Sequence, residues 1–305
     1  MILATLAGCV IGGDKYPRPR DLEDDWSVTR TRLLGVASEP AEARPGDRVT
    51  FEALFGHPPG DPEALSVVWL ACPVTDDTDW TGGCATDFGA IDFDDPDPAA
   101  LAELGFIGFE PGLPPAYQVP ADLLDGLDDA ARLEGVYVMV QLFALPPAAL
   151  EDPENLDFAE VESGYKRLVV SEAATPNHNP PLGAFTVDGS VIPAGATVHL
   201  DRLQPYELGV VLAEGAIETY DYLTSDGAVE VRVEEPYVSW FATGGELIES
   251  VTLWPSIEAT WVSPPAEGQE SDFGGDPVDS GTWYAVLRDR RGGMSWLEQP
   301  WVIDP

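Results

Sequence analysis

The sequence predicts an all-β protein made of two tandem β-sandwich units, the first carrying a long, acidic and partly helical insert. Short apolar runs recur along the chain, and in residues 49–55 apolar and polar side chains alternate. Such alternation is typical of half-buried strands. Turns containing proline and glycine separate the runs, as at Pro45 and Gly46. After residue 182 no long amphipathic helix interrupts the strands.

Length and composition allow two packed cores. The chain has 305 residues, of which 44% are hydrophobic and 10% aromatic. That amount of apolar material argues against wholesale disorder. No run of eighteen apolar residues occurs, so the sequence predicts no transmembrane helix.

The charge balance limits the classes of partner. Fifteen lysines and arginines stand against 54 aspartates and glutamates, which gives a net charge of −39. A surface of that charge repels polyanions. We therefore expect no nucleic-acid partner.

The first unit is predicted to span residues 30–175. Its insert, residues 75–132, is acidic and long enough to carry specific contacts, with short helices predicted at 97–104 and 120–133. The predicted strands are 30–36, 49–55, 66–72, 135–143 and 165–170.

The second unit is predicted to span residues 182–305. Residues 176–181, rich in asparagine and proline, form a short and fairly stiff linker before it. The predicted strands are 182–187, 197–200, 207–212, 228–233, 237–242, 249–253, 259–262, 282–288 and 301–303.

Three short segments repeat in the same order in both units. The turn and strand at 45–51 match 193–200, the Trp69 segment matches Trp240-Phe241-Ala242, and residues 135–140 match 281–286. Segments repeated in a fixed order indicate related tandem domains.

This arrangement resembles the immunoglobulin-like sandwich, with a lone tryptophan on strand C and an aromatic entry to strand F. Trp283 stands at the family's tyrosine position and Ala285 at its cysteine position, while Tyr137 and Met139 stand there in the first unit. The whole arrangement is similar to that of bacterial surface lipoproteins with tandem immunoglobulin-like or fibronectin-like modules. The family's inter-sheet disulfide is absent from both units.

The N-terminus resembles the lipobox of bacterial lipoproteins. Leu6-Ala7-Gly8-Cys9 places small residues before a cysteine, so Cys9 would be the lipidated residue. Residues 1–9 are short for a complete signal sequence, so either the true start lies upstream or the match is accidental. Residues 10–29 are predicted to form a flexible tether. The resemblance implies a lipid-anchored protein of the envelope of a Gram-negative-type bacterium, at the outer membrane or cell surface.

The two remaining cysteines form a candidate disulfide. Cys72 and Cys84 flank a short Gly- and Asp-rich segment that can close a loop in an oxidising compartment. Two reduced, unrelated cysteines are the alternative.

The best metal candidate is a calcium site. Asp92, Asp94 and Glu103 occupy positions 1, 3 and 12 of a calcium-binding loop, but Pro96 and Asp97 break the pattern. A solvated acidic loop leading into a helix is the simpler interpretation, and no other cofactor is predicted.

No catalytic motif appears in the sequence. It lacks the nucleophile elbow, the zinc-protease helix motif, the phosphate-binding loop and the dinucleotide fingerprint. We therefore expect a non-enzymatic protein. A carbohydrate-active enzyme is a weaker alternative.

The predicted last hairpin ends in a basic tip. Arg288, Arg290 and Arg291 could contact an acidic partner or pair with acids of the same chain. We expect alanine at Arg290 and Arg291 to leave folding intact if these arginines serve a partner.

Taken together, these features indicate an anchored binding, adhesion or structural module whose partner is an envelope protein or polysaccharide. A carbohydrate-binding or calcium-dependent binding module is the alternative. Six of nine tryptophans lie after residue 239, and packing within the sheets is their expected role.

Overall fold

The computed structural model describes residues 26–60, 65–74, 84, 98–108, 113–147, 161–224, 227–269 and 275–304. Within them the fold is all-β, as predicted. Two short helices are present, α1 (Pro98–Glu103) and α2 (Asp129–Glu134). The strands are β1 (Arg32–Glu39), β2 (Glu42–Ala43), β3 (Arg48–Gly56), β4 (Ser66–Pro73), β5 (Phe106–Ile107), β6 (Ala116–Gln118), β7 (Val136–Leu145), β8 (Glu162–Val170), β9 (Leu182–Val187), β10 (Ser190–Val191), β11 (Val198–Leu200), β12 (Pro205–Leu212), β13 (Thr219–Leu223), β14 (Val229–Val233), β15 (Tyr237–Ala242), β16 (Glu246–Leu247), β17 (Val251–Leu253), β18 (Ala259–Val262), β19 (Ser280–Arg288) and β20 (Met294–Ile303).

The strands up to β8, which we call the N-terminal half, form two sheets over one core. The first sheet has the order β1-β3-β6 and the second β2-β8-β7-β4-β5. Alternate residues of both sheets point into a shared cluster, including Phe51 from β3, Trp69 from β4 and Leu142 from β7. Burial of one face of each sheet drives this packing.

The strands from β9 onward, which we call the C-terminal half, repeat the plan. One sheet has the order β10-β9-β12-β18-β16 and the other β11-β20-β19-β15-β17. Their core holds four tryptophans that are almost fully buried: Trp240, Trp261, Trp283 and Trp301. The small sheet β13-β14 lies outside both layers.

The larger N-terminal sheet matches its C-terminal counterpart strand by strand. In each, a short edge strand runs parallel to the last strand, β2 with β8 and β11 with β20. The last strand pairs antiparallel with the strand before it, and that strand with the one bearing Trp69 or Trp240. The internal repeat noted in the sequence therefore corresponds to a repeated strand order.

The predicted alignment of the repeat is nevertheless wrong on β7. Trp69 pairs with Leu142 and Trp240 pairs with Ala285, so β7 and β19 correspond with a different offset from the one that the sequence suggests. Tyr137, matched to Trp283, is 50% exposed, whereas Trp283 is fully buried. An odd-numbered slip turns every side chain of a strand to the other face.

The described parts of the insert cover the outer face of β4. Leu101 of α1 and Phe106 of β5 pack on Leu70, and Cys84 lies beside them. The predicted disulfide is present, with Cys72 and Cys84 joined and their Cα atoms 5.7 Å apart. The helix predicted at 97–104 is observed as α1. Of the second predicted helix, only its end is helical, as α2.

The residues just before β1 belong to the folded body. Val28 N donates to the carbonyl of Ala242 at 2.9 Å, and Ala242 N donates to that of Trp26 at 3.1 Å. Val28 is fully buried. The end of the segment assigned as a tether is therefore fixed to β15, while residues 10–25 lie outside the described part of the chain.

Candidate functional site

The most developed arrangement of polar side chains lies where the two halves meet. The apolar part of this junction comprises Val28, Leu34 and Leu54 packed on Tyr284 and Val286. These residues come from the segment before β1, from the outer faces of β1 and β3, and from the outer face of β19. Both halves thus bury a second face of a sheet against each other.

The hairpin between β19 and β20 carries the polar part. Asp289 is buried, and its Oδ1 accepts hydrogen bonds from the backbone N–H groups of Arg291, Gly292 and Gly293 at 2.7, 2.9 and 2.9 Å. At Gly293 a Cβ would lie 2.5 Å from the carbonyl oxygen of His178. Only glycine fits there, so the tip is built to close on the linker.

The linker is fastened to both halves. Asn177 N donates to Glu42 Oε2 at 2.8 Å, and Asn177 Nδ2 donates to Asp289 Oδ2 at 2.8 Å. Two residues on, Asn179 Nδ2 donates to a backbone carbonyl of β1 at 2.8 Å, and Asn179 Oδ1 accepts from Met294 N at 3.0 Å. Each asparagine therefore bridges the N-terminal half and the last hairpin.

Arg291 is the cationic centre of the junction. Its guanidinium lies 3.0 Å from Glu234, 3.3 Å from Glu218 and 3.6 Å from Glu42, and stacks on Tyr220 with 4.3 Å to the ring centroid. Burial raises the pKa of Glu234, and the hydrogen bond from Arg291 opposes that rise. One arginine thus holds three carboxylates from both halves.

Lys166 of β8 completes the network. Its Nζ donates to the carbonyl of Gly292, and the side chain is almost fully buried. Burial lowers the pKa of Lys166 to about 8, while the charge of Asp289 raises it. Burial likewise raises the pKa of Asp289 against the hydrogen bonds that lower it. An amine and a carboxyl are thus both held away from water.

The structure separates the three arginines predicted as a partner contact. Arg288 donates to Ser239 Oγ at 2.7 Å and to the carbonyl of Leu34 at 3.0 Å, and burial lowers its pKa. Arg291 is engaged as described, with 17% of its side chain exposed. Arg290 is 49% exposed and lies 3.7 Å from Glu235. Of the three, Arg290 remains the residue most open to a partner.

Most of the predicted metal and lipid sites lie outside the described residues. Asp92, Asp94 and Cys9 all lie outside the described residues. Glu103 is described and is exposed at the end of α1. Within the described ranges, no group of three or more His, Cys, Asp or Glu side chains could hold a metal ion. No helix there is long and apolar enough to cross a membrane. The calcium site stays a prediction, which calorimetric titration with calcium tests.

The late tryptophans mainly serve the core, as expected. Trp261 packs edge-on to Trp283 at 4.9 Å between ring centroids and lies 5.1 Å from Trp301. Its Nε1 donates to the carbonyl of Gly244 at 2.9 Å. Trp254 and Trp296 are the two of the six that keep accessible surface.

Trp296 lines an open groove between the halves, with a volume of about 710 Å³. Glu39 and Thr50 line the opposite wall, and Glu52 lies beside them. The groove borders the fastened linker at Asn179.

Sequence reasoning missed Lys166, Asn177 and Asp289 as members of one site. They are up to 123 residues apart, by 289 − 166, and only the packing of the halves brings them together. One signal was available. Lys166 is one of two lysines in the chain and stands inside a predicted strand.

Comparison with known proteins adds little. No protein-family model matches the chain, and no curated protein matches it. Among solved structures, it is similar to the three N-terminal domains of the Highly Immunogenic Outer Capsid protein (Hoc) of bacteriophage RB49, with 11% sequence identity and a TM-score of 0.22. The match covers 90% of this chain, which spans 59% of the Hoc chain. A likeness at that TM-score supports no argument about function.

Proposed function

We propose that the protein is a non-enzymatic module of the bacterial cell envelope, in which two immunoglobulin-like β-sandwiches form one stiff body anchored through acylated Cys9. The observation that carries the proposal is the fastened junction. Asn177, Asn179 and Arg291 each contact both halves, so the linker is built into the body instead of acting as a free hinge.

The repeated strand order supports the immunoglobulin-like assignment. In each half a two-layer sandwich places a tryptophan, Trp69 or Trp240, on a middle strand facing the core. The next strand in the sheet is β7 or β19, followed by the last strand of the half. This order fits strands C, F and G of the immunoglobulin fold.

A role in binding or spacing fits the chemistry of the junction. Junction groups with shifted pKa values, such as Lys166, Glu234 and Asp289, bond to partners in the same chain. Shifted pKa values mark catalytic sites and structural ion networks alike. Here the internal partners favour the structural role.

Residual dipolar couplings test the stiff body. We expect the two halves of the full chain to share one alignment tensor. Asn177→Ala combined with Asn179→Ala should worsen the fit of the couplings to one tensor, because both side-chain amides that bridge the halves are lost while the apolar contacts and Arg291 remain. Two independent tensors in the unsubstituted protein would overturn the proposal of one body.

A matched control removes two side-chain amides that stay within one half. The side-chain amide of Gln118 bonds within the N-terminal half, since its Nε2 donates to the carbonyl of Gly46 at 2.7 Å. Gln204 Nε2 donates to the carbonyl of Arg202 at 3.4 Å, inside the C-terminal half. Gln118→Ala combined with Gln204→Ala should therefore keep the single tensor.

Fractionation tests the anchor. Expressed from its own gene in a Gram-negative host, the protein should sediment with membranes, and mass spectrometry should find acylated Cys9 as the mature N-terminus. Cys9→Ser should release it from the membrane. Soluble protein that retains Met1 would remove the anchor and the proposed location.

A further inference from the structure

We propose that the groove between the halves binds a lysine or arginine side chain presented by an extended segment of a partner protein. The groove is open, has a volume of about 710 Å³, and lies between β1 and β3 on one side and the start of β20 on the other. This inference rests on the proposed function, because it names the partner chemistry of a binding module.

One wall of the groove is aromatic. Met294 and Trp296 alternate along β20, so they share the face that points toward the N-terminal half. The hydrogen bond from Met294 N to Asn179 Oδ1 fixes the start of this strand. Trp296 is only partly buried, so its ring remains available to a ligand. An indole face attracts lysine and arginine cations.

The other wall is acidic. Glu39 pairs with Thr50, and Glu52 pairs with Ala37, on the outer face of β1 and β3. Asn179 Nδ2 donates to Glu39 Oε2 at 3.0 Å, which holds that carboxylate at the groove. Fixed carboxylates opposite an indole suit a guanidinium or ammonium group.

Glu298 adds a further carboxylate on the face of β20 that carries Trp296. Burial raises the pKa of Glu298, the charge of His57 lowers it, and the charge of Glu52 raises it. Within the described part of the chain, the carboxylates of Glu52 and Glu298 form no ion pair and accept no hydrogen bond. The charge of His57 already offsets part of the repulsion between the two carboxylates, and a cation bound beside Glu52 would offset more of it.

Charge complementarity favours a cation over a neutral ligand. The described residues lining the groove include no lysine, arginine or histidine, although they include two glutamates. A chain of net charge −39 also attracts basic partners from a distance. A neutral sugar could donate hydroxyl hydrogen bonds to the carboxylates, but it would leave their negative charge uncompensated.

The test uses the full chain and a blocked pentapeptide with a central arginine, with citrulline at that position as the uncharged isostere. Titration is followed by the indole N–H resonance of Trp296 in NMR spectra, assigned by its loss in Trp296→Leu. We expect the arginine peptide to shift this resonance, with at least tenfold weaker binding of the citrulline peptide. Binding of the arginine peptide should also weaken at high salt.

Matched variants locate the contact. Glu39→Gln combined with Glu52→Gln should weaken binding of the arginine peptide at least tenfold, since both carboxylates line the groove. Glu207→Gln combined with Glu258→Gln removes the same charge from exposed positions elsewhere and should change it less than twofold. Equal losses in the two pairs would show diffuse attraction and overturn the site.

Two further outcomes also overturn it. One is an unshifted Trp296 resonance at saturating arginine peptide. The other is a shift of the Trp296 resonance by a neutral hexasaccharide, together with an equal shift by the citrulline peptide. That result would assign the groove to carbohydrate. Loss of the Cys9 anchor would leave all these readouts unchanged, so failure of the location and failure of the site are distinguishable.

Discussion

The two halves share a strand order but fill their cores differently. The C-terminal core contains four tryptophans, of which Trp261, Trp283 and Trp301 contact one another. Phe185 stacks on Trp283 at 5.9 Å and packs edge-on to the fourth, Trp240, at 5.7 Å. Among the described residues, the N-terminal core contains one tryptophan, Trp69, stacked on Phe51 at 6.1 Å amid smaller aliphatic side chains. The same topology therefore accepts two packing solutions.

The difference extends to what lies outside each core. The N-terminal half has an insert joined to β4 by a disulfide. The outer face of its β1-β3-β6 sheet packs against the C-terminal half. The C-terminal half supplies the hairpin that closes the junction. We infer that the stability of the C-terminal half comes mainly from its own core, while the stability of the N-terminal half comes more from the disulfide and the junction.

Truncating the central tryptophan of each core is the strongest way to break this comparison. Trp261→Ala should lower the free energy of unfolding by about 5 kcal/mol, since the ring is fully buried among three aromatic neighbours. Trp69→Ala should cost about 3 kcal/mol, because Trp69 retains some exposure and one stacked neighbour. Urea unfolding followed by circular dichroism measures both. A larger loss for Trp69→Ala would reverse the ranking of the cores.

Removing the cation of the junction should be the next largest effect. Arg291→Ala leaves Glu234 and Glu42 buried without their partner, and we expect a loss of about 3 kcal/mol. Arg290→Ala should change stability by less than about 0.5 kcal/mol, because its contact is exposed. These two unequal effects replace the sequence-based expectation that both substitutions leave folding intact. Equal effects in urea unfolding would contradict the separation.

Strands were predictable because their signal is local. Strand β9 was predicted with the bounds that the structure shows, since alternation and a following turn define it within a few residues. Strand β13 was missed. Its partner β14 is exposed at every position and is still predicted, since three valines alternate along it, whereas β13 holds a single β-branched residue, Thr219.

The site was largely unpredictable because its signal is not local. The basic hairpin tip was found from its arginines, but which of them is buried depends on Glu42, Glu218 and Glu234, contributed by three separate segments. Tyr137 shows the same limit, since a short motif match does not fix the register.

The disulfide gives a way to sharpen the comparison from the N-terminal side. Cys72→Ser combined with Cys84→Ser should lower the free energy of unfolding by roughly 3 kcal/mol, from the entropy of the 12-residue separation that the bond closes. The loss should appear as earlier exchange of amide protons in β4 and β7. Protection of β15 and β19 should stay unchanged. Uniform loss in both halves would mean that they unfold as one unit.

Lys166 gives the smallest and most specific effect. In the folded protein its pKa is about 8, against an ordinary value of 10.5, so the unfolded chain binds more protons between those values. The free energy of unfolding therefore rises as the pH increases from about 8 to 10.5. Below pH 8 the lysine is charged in the folded protein, so the full cost of burying that charge is present there. We expect a rise of about 2.5 kcal/mol in the free energy of unfolding, which urea titrations across this range would show.

Two variants isolate that contribution. Lys166→Met should remove the rise, while Arg167→Met, a matched change on the neighbouring residue of β8, should retain it. The C-terminal hairpin covers Lys166, since its Nζ donates to the carbonyl of Gly292. A pH-independent result for the unsubstituted protein would therefore mean that the two halves do not close over this amine in solution.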